Sequence, residues 1–405
     1  MSTPLPQPVL LDPASRLPQA EVSRFLTLLR ESRLPETDIL PGASTGWEYG
    51  IPLTRLQELR TYGLEKWNYD AFLADISRFQ HYTVEIEGIS VHYVHARASR
   101  EGAVPLLMTH GWPGSFYEFH KVVGPLSSPS AEEDPAFDVV LPSLPGFGFS
   151  GPPPRKGWTL MDTARVFNTL MVDVLGYGEY VAQGGDWGYV VTRALTANHG
   201  DHCVLAHFNN LLELPPAYHY PVLTAMALLP KWAGRRVGST ILTQPEMDGL
   251  DRQMQFRKTG LGYVSIQSTK PATIGYALVD HPVGLLAYLG EKYSTWTDPA
   301  SKATDDDVVS TVALYFLTRT FHTSVLPYYE TKHTQYMYLP KQVKGKTGLS
   351  VFQFDVLGAP RSWASRVLNV VYYKRHDHGG HFAGLEMPEA LVGDVREFVK
   401  GHWGK

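Results

Sequence analysis

The sequence has a single cysteine, Cys203, and few charged residues, at 19% of its 405 positions. One thiol cannot form a disulfide within the chain, so the fold does not depend on an oxidising compartment. No run of apolar residues reaches the ~18 that a membrane span needs. The N-terminus has prolines and acids where a signal peptide has a basic end and an apolar run. These absences predict a cytoplasmic protein without a membrane anchor.

A basic block is also missing. Lysine and arginine total 36 against 40 aspartates and glutamates, for a formal net charge of −4. This distribution does not favour nucleic acid or an anionic membrane as a partner. Aromatic residues are plentiful, at 12%, with 22 tyrosines and 9 tryptophans. Rings at that density suit a ligand pocket, although a large core would also hold them.

The apolar pattern divides the chain into four segments. Residues 1–80 mix proline-rich loops with amphipathic patterns and predict an N-terminal helical extension. Residues 81–210 start with a hairpin, and short apolar strands then alternate with helices, which predicts a mostly parallel α/β sheet with helices on both faces. Residues 211–339 are helical, and residues 340–405 return to strands. A helical insertion late in such a sheet forms a cap over the strand ends, where ligands bind.

One short stretch, GGDWG, joins an apolar strand to a helix and holds Asp186 between glycines. Small neighbours let strand and helix approach closely, and the central residue of such a turn takes a strained conformation. The pattern is typical of the nucleophile elbow, here with a carboxylate in place of serine. An aspartate nucleophile forms an alkyl ester, so its target needs an activated leaving group, as in an epoxide or a halide. The alternative is a helix N-cap, a common place for aspartate.

Two further segments favour the catalytic interpretation. THGWPGS follows a strand, and its backbone can direct the N–H of Trp112 toward Asp186, where it would form an oxyanion hole with the N–H of Trp187. Near the C-terminus, His381 follows two glycines, and Asp355 follows the preceding strand. The order nucleophile, acid, histidine is that of the α/β-hydrolases.

His376 and His378 lie near His381 and raise the alternative of a metal site. No carboxylate or cysteine is spaced to complete a closed ligand shell. We therefore interpret His376 and His378 as loop residues and expect no metal.

From about Trp47 to Trp403, the sequence resembles the epoxide hydrolases of the α/β-hydrolase fold, specifically the microsomal-type branch with an N-terminal extension. The segments that carry the resemblance are HGWPGSFYEFHKVVGPL, PSLPGFGFS, GGDWG, GYVSIQSTKPATIGYALVDHPVGLLAYLGEKYSTW, APRSW and GGHFAGLEMPEAL. Animal members of the branch have an N-terminal membrane anchor, and this chain looks more like the soluble fungal or bacterial members.

The resemblance implies a role for each matched residue. Asp186 would be the nucleophile, and His381, oriented by Asp355, would be the general base. Tyr263 and Tyr328 would donate to the epoxide oxygen, with Tyr329 replacing Tyr328 if the register slips by one. The substrate would be a small-molecule epoxide and the product a vicinal diol, with no cofactor. Dimerisation of two copies is an expectation at the level of the family.

Two other functions stay open. A haloalkane dehalogenase has the same fold and an aspartate nucleophile, but it holds halide with ring N–H donors and needs no tyrosine pair. The N-terminal extension and the cap motifs argue against it. A ligand receptor on a hydrolase scaffold is the non-enzymatic alternative, and the intact Asp186, Asp355 and His381 set argues against that.

Overall fold

The structure is a computed structural model that describes residues 7–40, 46–211, 213, 215–301, 303–334 and 342–404. Within them, nine strands form one sheet. The strands are β1 (Val9–Leu11), β2 (Gln80–Ile86), β3 (Ile89–Ala96), β4 (Val104–Thr109), β5 (Phe137–Pro142), β6 (Tyr180–Gly184), β7 (Cys203–Phe208), β8 (Lys346–Phe352) and β9 (Asn369–His376). Their order across the sheet is β1-β2-β3-β5-β4-β6-β7-β8-β9. The first three pairings are antiparallel and the other five are parallel. The sheet is therefore mostly parallel, which confirms that prediction from the sequence.

The hairpin of β2 and β3 takes its register from alternating burial. Ile86 pairs with Ile89, and Val84 pairs with Val91. These four side chains and that of Tyr93 are all buried. Since residues two apart in a strand share one face, the alternation predicted this face from the sequence.

Helices cover both faces of the sheet, and a second group separates β7 from β8. Those before the separation are α1 (Pro13–Arg16), α2 (Gln19–Glu31), α3 (Leu53–Glu65), α4 (Tyr69–Ile76), α5 (His120–Ser127), α6 (Leu160–Thr169) and α7 (Trp187–Asn198). The helices between β7 and β8 are α8 (Tyr220–Leu228), α9 (Lys231–Gly238), α10 (Gln244–Thr259), α11 (Gly262–Gln267), α12 (Pro271–Leu278), α13 (Pro282–Thr295), α14 (Asp305–Thr318), α15 (Phe321–Ser324) and α16 (Leu326–Thr334). The last three are α17 (Arg361–Ala364), α18 (Ala383–Glu386) and α19 (Pro388–His402). None of the described helices is both long and apolar enough to cross a membrane.

The N-terminal segment is not helical throughout, because β1 adds an edge strand to the sheet. Leu10 pairs with Tyr82 of β2 in an antiparallel register. Three residues are too few for a periodic pattern to reveal a strand, so the sequence did not predict it.

The N-terminal helices pack against two of the helices that follow β7. Phe25 of α2 lies 5.3 Å from Phe316 of α14, measured between ring centroids. The Trp67 Nε1–H donates to Ser310 Oγ of α14 at 3.0 Å in a buried contact. The N-terminal layer and α14 therefore share one hydrophobic core.

Candidate active site

The turn between β6 and α7 holds Asp186 in a conformation that few side chains adopt, with φ at 51°. A Cβ on Gly184 would lie 2.4 Å from the carbonyl oxygen of Gly188, and one on Gly188 would lie 2.0 Å from that of Thr109. Strand and helix therefore approach too closely for any larger residue. Asp186 precedes α7 but makes no side-chain capping bond. Trp187 begins α7, so its backbone N–H has no partner within the helix.

The loop after β4 brings a backbone donor to this carboxylate. The Trp112 N–H donates to Asp186 Oδ1 at 2.8 Å. His110 holds the loop from behind: its Nε2 accepts from the Leu144 N–H at 3.1 Å, and its Nδ1 donates to the Gly111 carbonyl at 3.0 Å. Burial lowers the pKa of His110 to about 4, so the ring is neutral, as this pair of bonds requires.

His381 lies between two carboxylates. Its Nδ1 is 2.9 Å from Asp355 Oδ1, and its Nε2 is 3.5 Å from Asp186 Oδ2. Asp355 is held in place by the Leu357 N–H, which donates to Oδ1 at 2.9 Å, and by Asn210 Nδ2, which donates to Oδ2 at 2.8 Å. The three predicted members of the triad therefore meet, although they come from separate loops.

Opposing effects act on the pKa of His381. Burial lowers it, whereas the charge of Asp355, hydrogen bonds to both carboxylates and the charge of Asp186 raise it. The raising effects prevail, and the pKa lies well above its usual value. The imidazole is therefore a cation while Asp186 is ionised.

Tyr263 on α11 and Tyr328 on α16 come together above Asp186. Their ring centroids are 5.7 Å apart, and each phenol is close enough to the other to affect its pKa. Trp112 stacks on the Tyr263 ring at 5.2 Å, and Trp187 meets the Tyr328 ring edge-on at 4.8 Å. Burial is the main cause that raises the pKa of both phenols, and the charge of Asp186 raises both further. For Tyr328, the neighbouring Tyr263 adds to the increase. Both phenols therefore keep their protons.

Tyr329 points elsewhere. Its ring stacks on His333 with centroids 4.1 Å apart, and the side chain does not border the cavity at Asp186. Of the two adjacent tyrosines, Tyr328 is the one whose phenol reaches the site.

Two cavities meet at Asp186. The larger has a volume of about 270 Å³ and is bordered by Asp186, Trp187, Tyr263 and Tyr328. The rest of its wall is largely apolar and includes Leu160, Met161, Phe256, Leu261, Val264 and Leu357. The smaller has a volume of about 10 Å³, and its polar side chains include those of Asp186, Glu118, Asn209 and His381. The tyrosines and the histidine thus face different cavities.

The three histidines near the C-terminus share no carboxylate with one another. His376 Nε2 lies 2.6 Å from Asp394 Oδ2, and His378 Nδ1 lies 3.1 Å from Asp298 Oδ2. Their rings therefore diverge from that of His381. Across the described ranges, no three His, Cys, Asp or Glu side chains form a cluster that could hold a metal ion.

Sequence reasoning missed Asn210 and Glu118. Asn210 is the second residue after β7, as Asp186 is the second after β6, so its place at the carboxyl edge of the sheet was a usable indication. Glu118 lies on a 3₁₀ turn, Phe116–Phe119, and only the fold brings it to the smaller cavity.

Comparison with known proteins agrees with this geometry. A family model described as epoxide hydrolase N terminus matches residues 13–119, and one described as alpha/beta hydrolase fold matches residues 104–249. Epoxide hydrolase 1 of Sus scrofa is 33% identical over 387 residues, which are 89% of this chain and 82% of that protein.

Solved structures agree as well. The Aspergillus niger epoxide hydrolase has a TM-score of 0.82 and 34% identity over 98% of this chain and 97% of that one. The juvenile hormone epoxide hydrolase of the silkworm Bombyx mori has a TM-score of 0.86 and 27% identity over 98% and 94%. With this fold, this coverage and a carboxylate on the elbow, the chain belongs to the epoxide hydrolase family of the α/β-hydrolase fold.

Proposed function

We propose that this protein adds water to an epoxide to give a vicinal diol, through a covalent ester at Asp186. One observation carries the proposal. Asp186 lies between an apolar cavity that holds two protonated phenols and a small polar cavity that holds His381. The first arrangement suits ring opening and the second suits hydrolysis.

In the first half-reaction, a carboxylate oxygen of Asp186 attacks one epoxide carbon. The bond from that carbon to the ring oxygen breaks, and the oxygen takes a proton from Tyr263 or Tyr328. Phenol donors stabilise the alkoxide that develops, which would otherwise be a poor leaving group in neutral water. The phenol then regains a proton, for which the His381 imidazolium is the nearest cationic source, and His381 becomes neutral.

In the second half-reaction, neutral His381 takes a proton from water, and the water oxygen bonds to the carboxyl carbon of Asp186. The N–H groups of Trp112 and Trp187 donate to the resulting oxyanion. The bond to the diol oxygen then breaks, and that oxygen takes the proton from His381. The new carboxylic acid of Asp186 returns its proton to His381, which restores the resting ion pair. Asp355 orients the ring throughout.

The walls of the larger cavity support a substrate with apolar substituents on the epoxide. Apolar side chains form most of its surface beyond Asp186 and the two phenols. Burial of an apolar group there would contribute about 25 cal/mol per Å² of contact area. No step of the proposal uses a cofactor or a metal.

A homodimer in the cytoplasm is part of the same proposal. Its support is an exposed apolar surface on and beside α8 and α9, where Tyr218 is 69% exposed, Leu228 80% and Trp232 75%. Exposed patches of this kind commonly mark contacts between proteins. Light scattering should give twice the mass of one chain, and Leu228→Asp with Trp232→Asp should halve it.

Halide release is the second candidate. The indole Nε1–H groups of Trp112 and Trp187 are buried and have no partner among the described residues. Ring N–H donors of this kind could hold a halide ion. The phenol pair, which a dehalogenase does not need, favours the epoxide.

One experiment tests the covalent route. Excess enzyme is mixed with styrene oxide in ¹⁸O-water for a single turnover, with 1-bromobutane and halide detection in parallel. We expect unlabelled diol, labelled Asp186 and no halide. If the diol of the first turnover carries ¹⁸O, water attacks the epoxide directly and no ester forms at Asp186. Release of bromide from 1-bromobutane, without diol from styrene oxide, would favour the dehalogenase.

A further inference from the structure

The smaller cavity beside Asp186 has the size and the lining of a site for one water molecule. Its volume of about 10 Å³ is close to the ~10–15 Å³ that one water occupies by this measure. An ordered water also needs two to four polar partners, roughly what Glu118, Asn209, His381 and Asp186 supply. Among these, Glu118 has no role in the mechanism described so far.

Space for the Glu118 carboxylate exists because residue 114 is a glycine. A Cβ on Gly114 would lie 2.0 Å from Glu118 Oε2. Gly114 has no positive φ, so close approach of the carboxylate accounts for the glycine better than backbone strain does. Within the described residues, no side chain or backbone group forms a hydrogen bond with the carboxyl group of Glu118. A half-buried carboxylate without a protein partner needs water or a ligand.

The electrostatic surroundings of Glu118 depend on the state of Asp186. Burial is the main cause that raises its pKa to about 8, the positive charge of His381 lowers it, and the charges of Asp186 and Glu386 raise it further. Tyr293 and Tyr315 also face the carboxyl group, and both stay protonated because burial raises the pKa of each phenol. When Asp186 becomes an ester its charge disappears, and in the proposed mechanism His381 is neutral at the same stage, so both of these effects on Glu118 are lost and burial remains the main cause of its raised pKa.

We propose that Glu118 is the positioning residue of the hydrolytic half-reaction: it holds the attacking water in the smaller cavity, between His381 and the carboxyl carbon of the Asp186 ester. This inference rests on the proposed covalent mechanism. Glu118 accepts one hydrogen of the water, and His381 takes the other as the water oxygen bonds to the ester carbon. Glu118 itself forms no covalent bond, and the tyrosines and the ring-opening step lie on the other side of Asp186.

Glu118→Gln tests the role because it keeps the shape of the side chain and replaces one carboxyl oxygen by an NH2 group, which can donate a hydrogen bond but cannot accept one. With styrene oxide, the ester should form at close to the wild-type rate, while its hydrolysis slows by about 10- to 100-fold, as expected for a reactant displaced by about 1 Å. Since a slower second step lowers kcat and KM together, kcat/KM should be unchanged. Intact-mass spectrometry at steady state should show enzyme heavier by one substrate, with His381→Gln as the reference for a trapped ester.

Gly114→Ala is the second arm, since its Cβ meets the end of a flexible side chain and displaces the carboxylate without removing it. Gly114→Ala should also accumulate the ester. If Glu118→Gln does not fold, the result for Gly114→Ala tests the role of Glu118. Equal loss of both half-reactions in a folded variant, or normal hydrolysis in both variants, would overturn the role of Glu118. Wild-type turnover without any ester would instead overturn the covalent mechanism.

Discussion

In the proposed mechanism, the charge of one residue, His381, decides when each half of the cycle can run. Its cation is stabilised by Asp355 and Asp186 against the effect of burial. A cation cannot accept a proton from water, so the resting site cannot hydrolyse an ester. The proposed alkylation of Asp186 would remove one of the two stabilising charges, so the base would become available only after the ester exists.

Asp186→Asn imitates that neutral state and should lower the pKa of His381. The reason is the loss of the carboxylate charge 3.5 Å from Nε2, while the contact with Asp355 remains. NMR titration of the His381 ring in both proteins measures the change. Because the raised pKa stabilises the fold most below about pH 6.5 and loses its effect as pH rises through the folded value, the variant should be less stable mainly at neutral and acidic pH. Identical titrations would refute the account.

The two phenols should contribute to ring opening separately. Replacing Tyr263 or Tyr328 by Phe removes one donor from the developing alkoxide, at a cost of about 2–4 kcal/mol in the alkylation barrier. Tyr329→Phe is the matched control, since this side chain stacks on His333 outside the cavity. Single-turnover rates of ester formation measure all three. Loss of ester formation in Tyr329→Phe, together with a normal rate in Tyr328→Phe, would assign the donor role to Tyr329 instead.

At the scale of elements, the elbow depends on contact between the backbones of β4 and α7. Gly188→Ala would place a Cβ 2.0 Å from the Thr109 carbonyl, so α7 must move and carry Asp186 with it. We expect a loss of stability of about 1–3 kcal/mol together with a loss of ester formation.

Gly249→Ala provides the control for that substitution. Gly249 lies inside α10, and, apart from its two chain neighbours and the nearby backbone of the helix, no atom lies within 4 Å of the position of its Cβ. Alanine there should stabilise the protein by up to ~1 kcal/mol and leave activity unchanged. Urea unfolding of both variants gives the comparison, and equal stability of the two would contradict the packing argument.

At the scale of the whole molecule, the N-terminal layer is part of the same folding unit as the sheet and the helices after β7. Trp67→Ala removes the contacts with Phe25 and α14, so unfolding should cost about 3–5 kcal/mol less. Calorimetry should show one transition in both proteins, shifted to lower temperature in the variant. Trp67→Phe keeps most of the packing and should shift it less. Two separate transitions would mean that the layer folds independently.

Local patterns in the sequence predicted the alternation of strands and helices after β1, the buried face of the hairpin and the turn that holds Asp186. Each depends on neighbours within a few residues: glycines around a turn, alternation in a strand, and an apolar run before a loop. Chain order then indicated Asp355 and His381, because the carboxyl ends of parallel strands lie on one edge of the sheet.

Tertiary structure alone decided the contacts between distant segments. Asn210 and Asp355 are 145 residues apart, and no local pattern encodes their hydrogen bond. Tyr328 and Tyr329 are adjacent on a helix, where successive side chains point about 100° apart, so only the packing of α16 against Trp187 selects Tyr328. Glu118 reaches the smaller cavity because Gly114 leaves room for it. Proximity of this kind results from the folding of the whole chain, which buries these groups together around Asp186.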